Sequence, residues 1–352
     1  MRLLISFLVN NLRERLRVNN ALKILELGDI KYKILIDNEK QYKYINNVNI
    51  TPLEFKEKLE AWDLFYKKID SKLNEYNFDE LVILYTPLSE KLHRGNEQEI
   101  KKLYLKSLKE NDFILKNNIN IVKEFYRRIF ITLRVLEKFK DKNIKQIIYD
   151  PQELQYKNLY SHIQNYFFYS SNEINTKYFP FIEYGYFYNV NNNLNKIIDF
   201  VLGYTVLTKE RKYIDSFIKS INLTNKEIYL KNKYTKENNY INYNKYYERL
   251  KIAKFTLIIP SYDVNEFSSI RFFEALALDC IPLIMKKCNW EKAFNVYKDF
   301  FKIIKEYLLI DSNEDIKKKI NMYNVILKRI KESEDYKKLK DINYYKSYIK
   351  EF

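Results

Sequence analysis

Apolar residues along this chain come in short unbroken runs, and segments of helical period fill the intervals. That is the pattern of strands covered on both faces and alternating with helices. In the first half it predicts strands over 3–9, 32–37, 80–85 and 145–149, and helices over 19–27, 52–76, 97–109 and 113–140, with 10–17 a loop. Thr86-Pro87 and Asp150-Pro151 close the third and fourth strands. The aromatic, turn-bearing stretch 178–185 and the polar run 189–195 read as a connection between domains. A second unit follows, with strand 197–202, a turn at Gly203, helix 209–221, strand 227–230, helix 243–253 and strand 255–260. Terminal helices are expected over 312–329 and 335–349. Strands that alternate with helices imply parallel, doubly wound sheets. The fold class is therefore α/β, with an N-terminal domain over 1–185, a C-terminal domain over 186–330, and a terminal helix at 331–352 that packs on the first domain.

One segment carries candidate chemistry. From Ser261 to Met285 the chain reads as strand end, loop, short helix, tight turn and buried strand. Ser268 or Ser269 caps the helix, so unpaired N–H groups and the positive end of its dipole face the loop. Arg271 and Glu274 lie three apart and share one face of it. Amide donors with an arginine suit a diphosphate, and a carboxylate one turn on can accept from both hydroxyls of a ribose. An exposed Arg–Glu pair on an amphipathic helix is the plainer alternative. The loop's place at the carboxyl end of an apolar strand, where open α/β sheets bind ligands, favours the nucleotide site.

Composition narrows the function classes. Apolar residues make up 46% of the 352, enough for two cored domains. Cys280 and Cys288, with only His93 and His162, supply no metal-ligand set or histidine dyad, and they fit a reducing compartment. The apolar start Met1–Val9 is read as a first strand rather than a signal peptide, and no run is long enough to span a membrane. Four scattered glycines exclude the dinucleotide fingerprint and the P-loop. The formal charge of +16 favours a polyanionic partner. The chain is also crowded with Lys, Asn, Ile, Tyr and Phe, the residues of A- and T-rich codons, so genome composition explains part of that excess.

The Arg271/Glu274 pair, the run Phe273–Ala277 and Ile281-Pro282-Leu283 resemble two-domain glycosyltransferases of the GT-B type, whose Rossmann-like domains face a central cleft. More narrowly the chain is similar to the T-even phage DNA β-glucosyltransferases. The resemblance covers Asn265–Glu274 through Asp279, Tyr178–Glu183 and Asp199–Thr205, and is weaker around Phe78–Ile83 and the strand before Asp150. It implies transfer of glucose from UDP-glucose to 5-hydroxymethylcytosine in duplex DNA, with inversion at the sugar. Arg271 would neutralise the diphosphate, Glu274 would hold the ribose, and Gly203 and Thr205 would bring backbone close to the donor. Arg211 matches a second phosphate-binding arginine. Leu207 stands where the family carries another, leaving Lys209 to supply the charge, and Tyr262 joins the donor set from its loop.

Asp150 takes the place of the catalytic base. Loops at the strand ends would meet DNA through Arg13, Arg15 and Arg17, through Lys91 and Arg94, and through Tyr156 and Lys157, the acceptor base having left the stack. The expected protein is a monomer in the cytoplasm, that of the host if a phage encodes it, using a UDP-sugar, with a divalent metal on the diphosphate left open and no dedicated ligand set for it. Alternatives are a bacterial surface-glycan transferase of the same fold and a non-enzymatic nucleic-acid-binding derivative.

Overall fold

A computed structural model describes residues 2–6, 12–28, 32–36, 67, 71, 75, 77–85, 97–109, 133–148, 163–168, 176–180, 185–187, 190, 194–206, 212–232, 238–259, 269–288, 290–294, 296–350 and 352. The chain divides into two compact units, one of residues 1–169 with 173–179, the other of 170–172 with 180–352.

The first unit is built on strands β1 (Arg2–Ser6), β2 (Tyr32–Ile36), β3 (Glu80–Tyr85), β4 (Asn143–Ile148), β5 (Asn165–Phe168) and β6 (Thr176–Tyr178). They form one sheet in the order β2-β1-β3-β4-β5-β6, every neighbouring pair parallel. Helix α1 (Leu12–Leu27) joins β1 to β2 and packs on β3, burying Ala21, Ile24 and Leu25 near the buried run Leu81, Val82, Ile83. Helix α2 (Glu97–Lys109) follows β3, and residues 133–138 are helical before β4. The expected loop over 10–17 is corrected: α1 already starts at Leu12, because Leu-Arg-Glu-Arg-Leu-Arg is a run of strong helix formers. β5 and β6 were not foreseen; their four and three residues are too short for a periodic signal.

The second unit holds β7 (Ile198–Val206), α3 (Lys212–Lys219), β8 (Lys226–Asn232), α4 (Tyr243–Ile252), β9 (Ala253–Ile258), α5 (Ser269–Ala277), β10 (Ile281–Met285), α6 (Lys298–Ile303) and β11 (Leu309–Ile310). Its sheet runs β11-β10-β9-β7-β8, again parallel throughout. β10 is buried at all five residues and β9 at five of six, as expected of a sheet covered on both faces. Pro282 is tolerated in β10 because β11 pairs only with Ile284 and Met285, leaving the strand open on that side at the proline. Ile198, Val201, Leu250, Ala253, Ala275 and Leu278 form one core cluster. A second, aromatic cluster joins Phe272 and Phe273 of α5 to Phe294, Tyr297 and Phe300.

α5 ends in a left-handed residue that is not glycine. Asp279 has φ 55°, and Cys280 N–H reaches Ala275 O at 3.0 Å while Asp279 N–H reaches Leu276 O at 3.1 Å. This is the double bond pattern of a Schellman cap. Tyr323 Oη donates to the Asp279 carbonyl at 2.9 Å and Lys331 pairs with its carboxylate at 2.8 Å, fixing the turn from outside. The two terminal helices expected over 312–329 and 335–349 are four: α7 (Asn313–Asn321), α8 (Tyr323–Glu332), α9 (Glu334–Lys340) and α10 (Ile342–Ile349). Ser312, Ser333 and Asp341 cap α7, α9 and α10 with their own side chains, and each cap residue is extended rather than helical. Cys280 and Cys288 are buried free thiols, and burial pushes them up to about 12 and about 11.

Candidate functional site

Within the second sheet, the first strand of the unit, β7, lies between β8 and β9, and the connections leave to opposite sides of it. Such a reversal opens a crevice at the carboxyl ends of the two strands, here near Gly203–Val206 of β7 and Ile258 of β9. α5 follows β9, so its N-terminus is delivered to the same edge, with unpaired backbone donors and the positive end of the helix dipole. α5 begins at Ser269, and Ser268 lies outside the described residues.

Two side chains of α5 meet other elements here. Arg271 is half-buried and its Nη1 donates to the carbonyl oxygen of Gly203 at 3.0 Å, so β7 holds the guanidinium across the crevice. That leaves further donors of the five-donor fork for an anion. Glu274, one turn on, is only 2% exposed and sits among buried Phe272, Phe273, Ala275 and Leu276. A carboxylate in such surroundings needs hydrogen-bond donors, and Tyr243 Oη at the start of α4 donates to its Oε1. The plain reading of an exposed surface pair is thereby removed: Arg271 and Glu274 each face a different structural element.

Three tyrosines of α4 surround this pair at helical spacing. Burial first, then the neighbouring Tyr186 and Glu274, push the Tyr243 hydroxyl far above its ordinary value, so it remains a protonated donor. Burial likewise pushes Tyr246 and Tyr247 up to about 12, with Arg271 pulling Tyr246 the other way. Tyr246 Oη lies 3.1 Å from Thr256 Oγ1 of β9, and its ring covers Gly203. None of the three carried a functional signal in the sequence, since the chain holds 33 tyrosines. The available clue was the 243/246/247 spacing, which places them on one helical face.

Gly203 itself is corrected. It lies inside β7, paired in register with Tyr229, and makes no turn. A Cβ built on it would lie 3.0 and 3.1 Å from Tyr246 ring carbons, so a side chain there would need that ring to shift by a few tenths of an ångström. Thr205 continues the strand opposite Lys231. β7 ends at Val206 and α3 begins at Lys212; Leu207, Lys209 and Arg211 lie outside the described residues, as does Tyr262.

In the first unit the same strand order puts its reversal between β1 and β3. β4 ends at Ile148, two residues before Asp150, which lies outside the described residues together with Lys91, Arg94, Tyr156 and Lys157. Arg13, Arg15 and Arg17 occupy the first turns of α1, directly after β1 and its connection. Among the described residues no cluster of three or more His, Cys, Asp or Glu is placed to hold a metal, and no helix is long and apolar enough to cross a membrane.

No family model matches the chain, and no curated protein sequence does. Among solved structures, a mutant of T4 phage BGT in complex with UDP-glucose aligns over 100% of this chain and 99% of its own, with a TM-score of 0.51 and 14% identity. WaaG, a glycosyltransferase involved in lipopolysaccharide biosynthesis, aligns over 99% of this chain and 95% of its own, with a TM-score of 0.38 and 12% identity. The first likeness is one of fold, and it agrees with the α/β architecture of parallel sheets. The second is too loose to add to it.

Proposed function

We propose that this chain is a UDP-sugar-dependent glycosyltransferase that moves a hexose, glucose in the first instance, onto a 5-hydroxymethylated pyrimidine of duplex DNA. The observation that carries the reading is the pair on α5. A buried carboxylate and an arginine one turn apart stand at the helix N-terminal half, on the strand-order reversal of a parallel sheet, each held by a separate element. That arrangement suits a nucleoside diphosphate: the arginine and backbone donors for the two phosphates, the carboxylate for the ribose. The phage protein of like fold binds UDP-glucose, which supports the same donor here. The resemblance of Asn265–Glu274 to the phage DNA transferases and the charge of +16 support a DNA acceptor.

In this mechanism the hydroxymethyl oxygen attacks the anomeric carbon as Asp150 takes its proton. The bond from that carbon to the diphosphate breaks, and UDP leaves with the electron pair. Arg271 and the α5 amides stabilise the charge that grows on the departing diphosphate, while Glu274 keeps the nucleoside fixed. Lys209, Arg211 and Tyr262 complete the donor contacts, and Arg13, Arg15, Arg17, Lys91, Arg94, Tyr156 and Lys157 serve the DNA phosphates and the gap left by the flipped base.

The test is incubation of the purified protein with labelled UDP-sugars and duplexes carrying cytosine, 5-hydroxymethylcytosine or 5-hydroxymethyluracil, followed by nucleoside mass analysis. The expected result is one hexose added to a hydroxymethylated base, and an Asp150→Asn variant that binds UDP but transfers nothing. Transfer to a glycan acceptor with no mass added to any base would replace DNA by a surface glycan as the substrate.

A further inference from the structure

Glu274 accepts a hydrogen bond from a residue outside the nucleotide motif. α5 is buried on every side from Phe272 onward, so the carboxylate stands in an apolar helix with 2% exposure. A carboxylate so placed needs a hydrogen-bond donor to hold it in an orientation that accepts from a ribose. Tyr243 supplies that donor to Oε1. Its own place is well determined. It is the first residue of α4, a helix whose start is capped by Asn242 accepting from Lys245 N–H at 3.0 Å. The same helix is pinned to the sheet by Leu250 in the core and by Tyr246 on Thr256. The Tyr247 ring lies 6.1 Å from that of Tyr243, which limits its swing.

We infer that Tyr243 is a positioning residue for ribose recognition. By donating to one oxygen of Glu274 it helps hold the carboxylate in the orientation that engages the ribose hydroxyls. A carboxylate offers about four lone-pair sites, so the bond from Tyr243 does not exhaust it. The arrangement parallels that of Arg271, which Gly203 holds by its carbonyl. Arg271 and Glu274 thus each have a hydrogen-bond partner on another element, β7 for the guanidinium and α4 for the carboxylate. The inference rests on the proposed donor site, and the experiment separates the two.

Calorimetric titration with UDP and with 2′-deoxy-UDP provides the readout, because loss of packing alone would weaken both nucleotides alike. Wild-type protein is expected to prefer UDP about tenfold or more, the size of one hydrogen bond to a charged acceptor. Tyr243→Phe, which removes a single oxygen, should lower UDP affinity about tenfold and leave 2′-deoxy-UDP much less affected, so that the preference collapses. In a Glu274→Gln background the same substitution should add nothing further, since both act through one carboxylate. Far-UV spectra and urea midpoints of the variants establish that they are folded. A preference that survives Tyr243→Phe, or losses that add independently in the double variant, would overturn the positioning role. Wild-type protein that binds neither nucleotide, or binds both equally, would instead overturn the donor-site reading beneath it.

Discussion

Replacing Gly203 by alanine perturbs the crevice at a single atom. The new Cβ would sit 3.0, 3.1 and 3.4 Å from Cδ2, Cε2 and Cγ of Tyr246. Carbon pairs are at their best near 3.5–4.0 Å, so the ring must retreat by about half an ångström to relieve two of the three contacts. It has little room to do so. Its hydroxyl is tied to Thr256 at 3.1 Å, and the residue packs against the cluster of Val201, Leu250 and Ala275. Overpacking of this kind costs about 1–3 kcal/mol. Alanine recovers roughly 0.5–1 kcal/mol of that by restricting the unfolded chain at an extended position. The net expectation is a loss of up to about 2.5 kcal/mol. Urea unfolding followed through tryptophan fluorescence is a suitable assay, because Trp290 is buried in the second unit. Trimming the ring in a Gly203→Ala/Tyr246→Leu double variant should return part of the loss as a favourable coupling of about 1 kcal/mol. A double variant whose losses simply add would show that the ring does not occupy the space over Gly203.

Arg271→Ala removes the guanidinium from the crevice while leaving α5 intact; UDP affinity should fall about 10- to 100-fold by calorimetry, and an unchanged affinity would count against the diphosphate role. Alkaline stability follows from the tyrosines of α4. Tyr246 and Tyr247 are pushed up to about 12 in the folded state against an ordinary 10.0, so between those values the unfolded chain has lost protons that the folded one retains. Their contribution is full below pH 10 and declines as pH rises toward 12. The urea midpoint should therefore drop more steeply above pH 10 in the wild type than in a Tyr246→Phe variant, and parallel profiles would contradict it.

The legible parts of the fold were those whose signal is local. β9 and β10 declare themselves as apolar runs because both faces of a parallel sheet are covered, and the α5 segment was readable from its apolar face. Gly203 was misread as a turn because the ring that packs over it stands at residue 246, far along the chain. The break at Met322 was also hidden, since no glycine or proline marks it and only a local change of backbone, φ −101° and ψ 10°, separates α7 from α8. At the site, the 271/274 spacing put Arg271 and Glu274 on one helical face, and their place after an apolar strand made them candidates. Tyr243 was not, because its importance lies in a partner 31 residues away and in the burial of that partner.

The claim at the centre of this account is that the carboxyl edge between β7 and β9 holds a nucleoside diphosphate. A crystal structure of the protein soaked with UDP tests it most directly. The account predicts the diphosphate at the N-terminus of α5 within hydrogen-bonding reach of Arg271, and the ribose hydroxyls on Glu274. UDP bound elsewhere, or with its ribose turned away from Glu274, would contradict it.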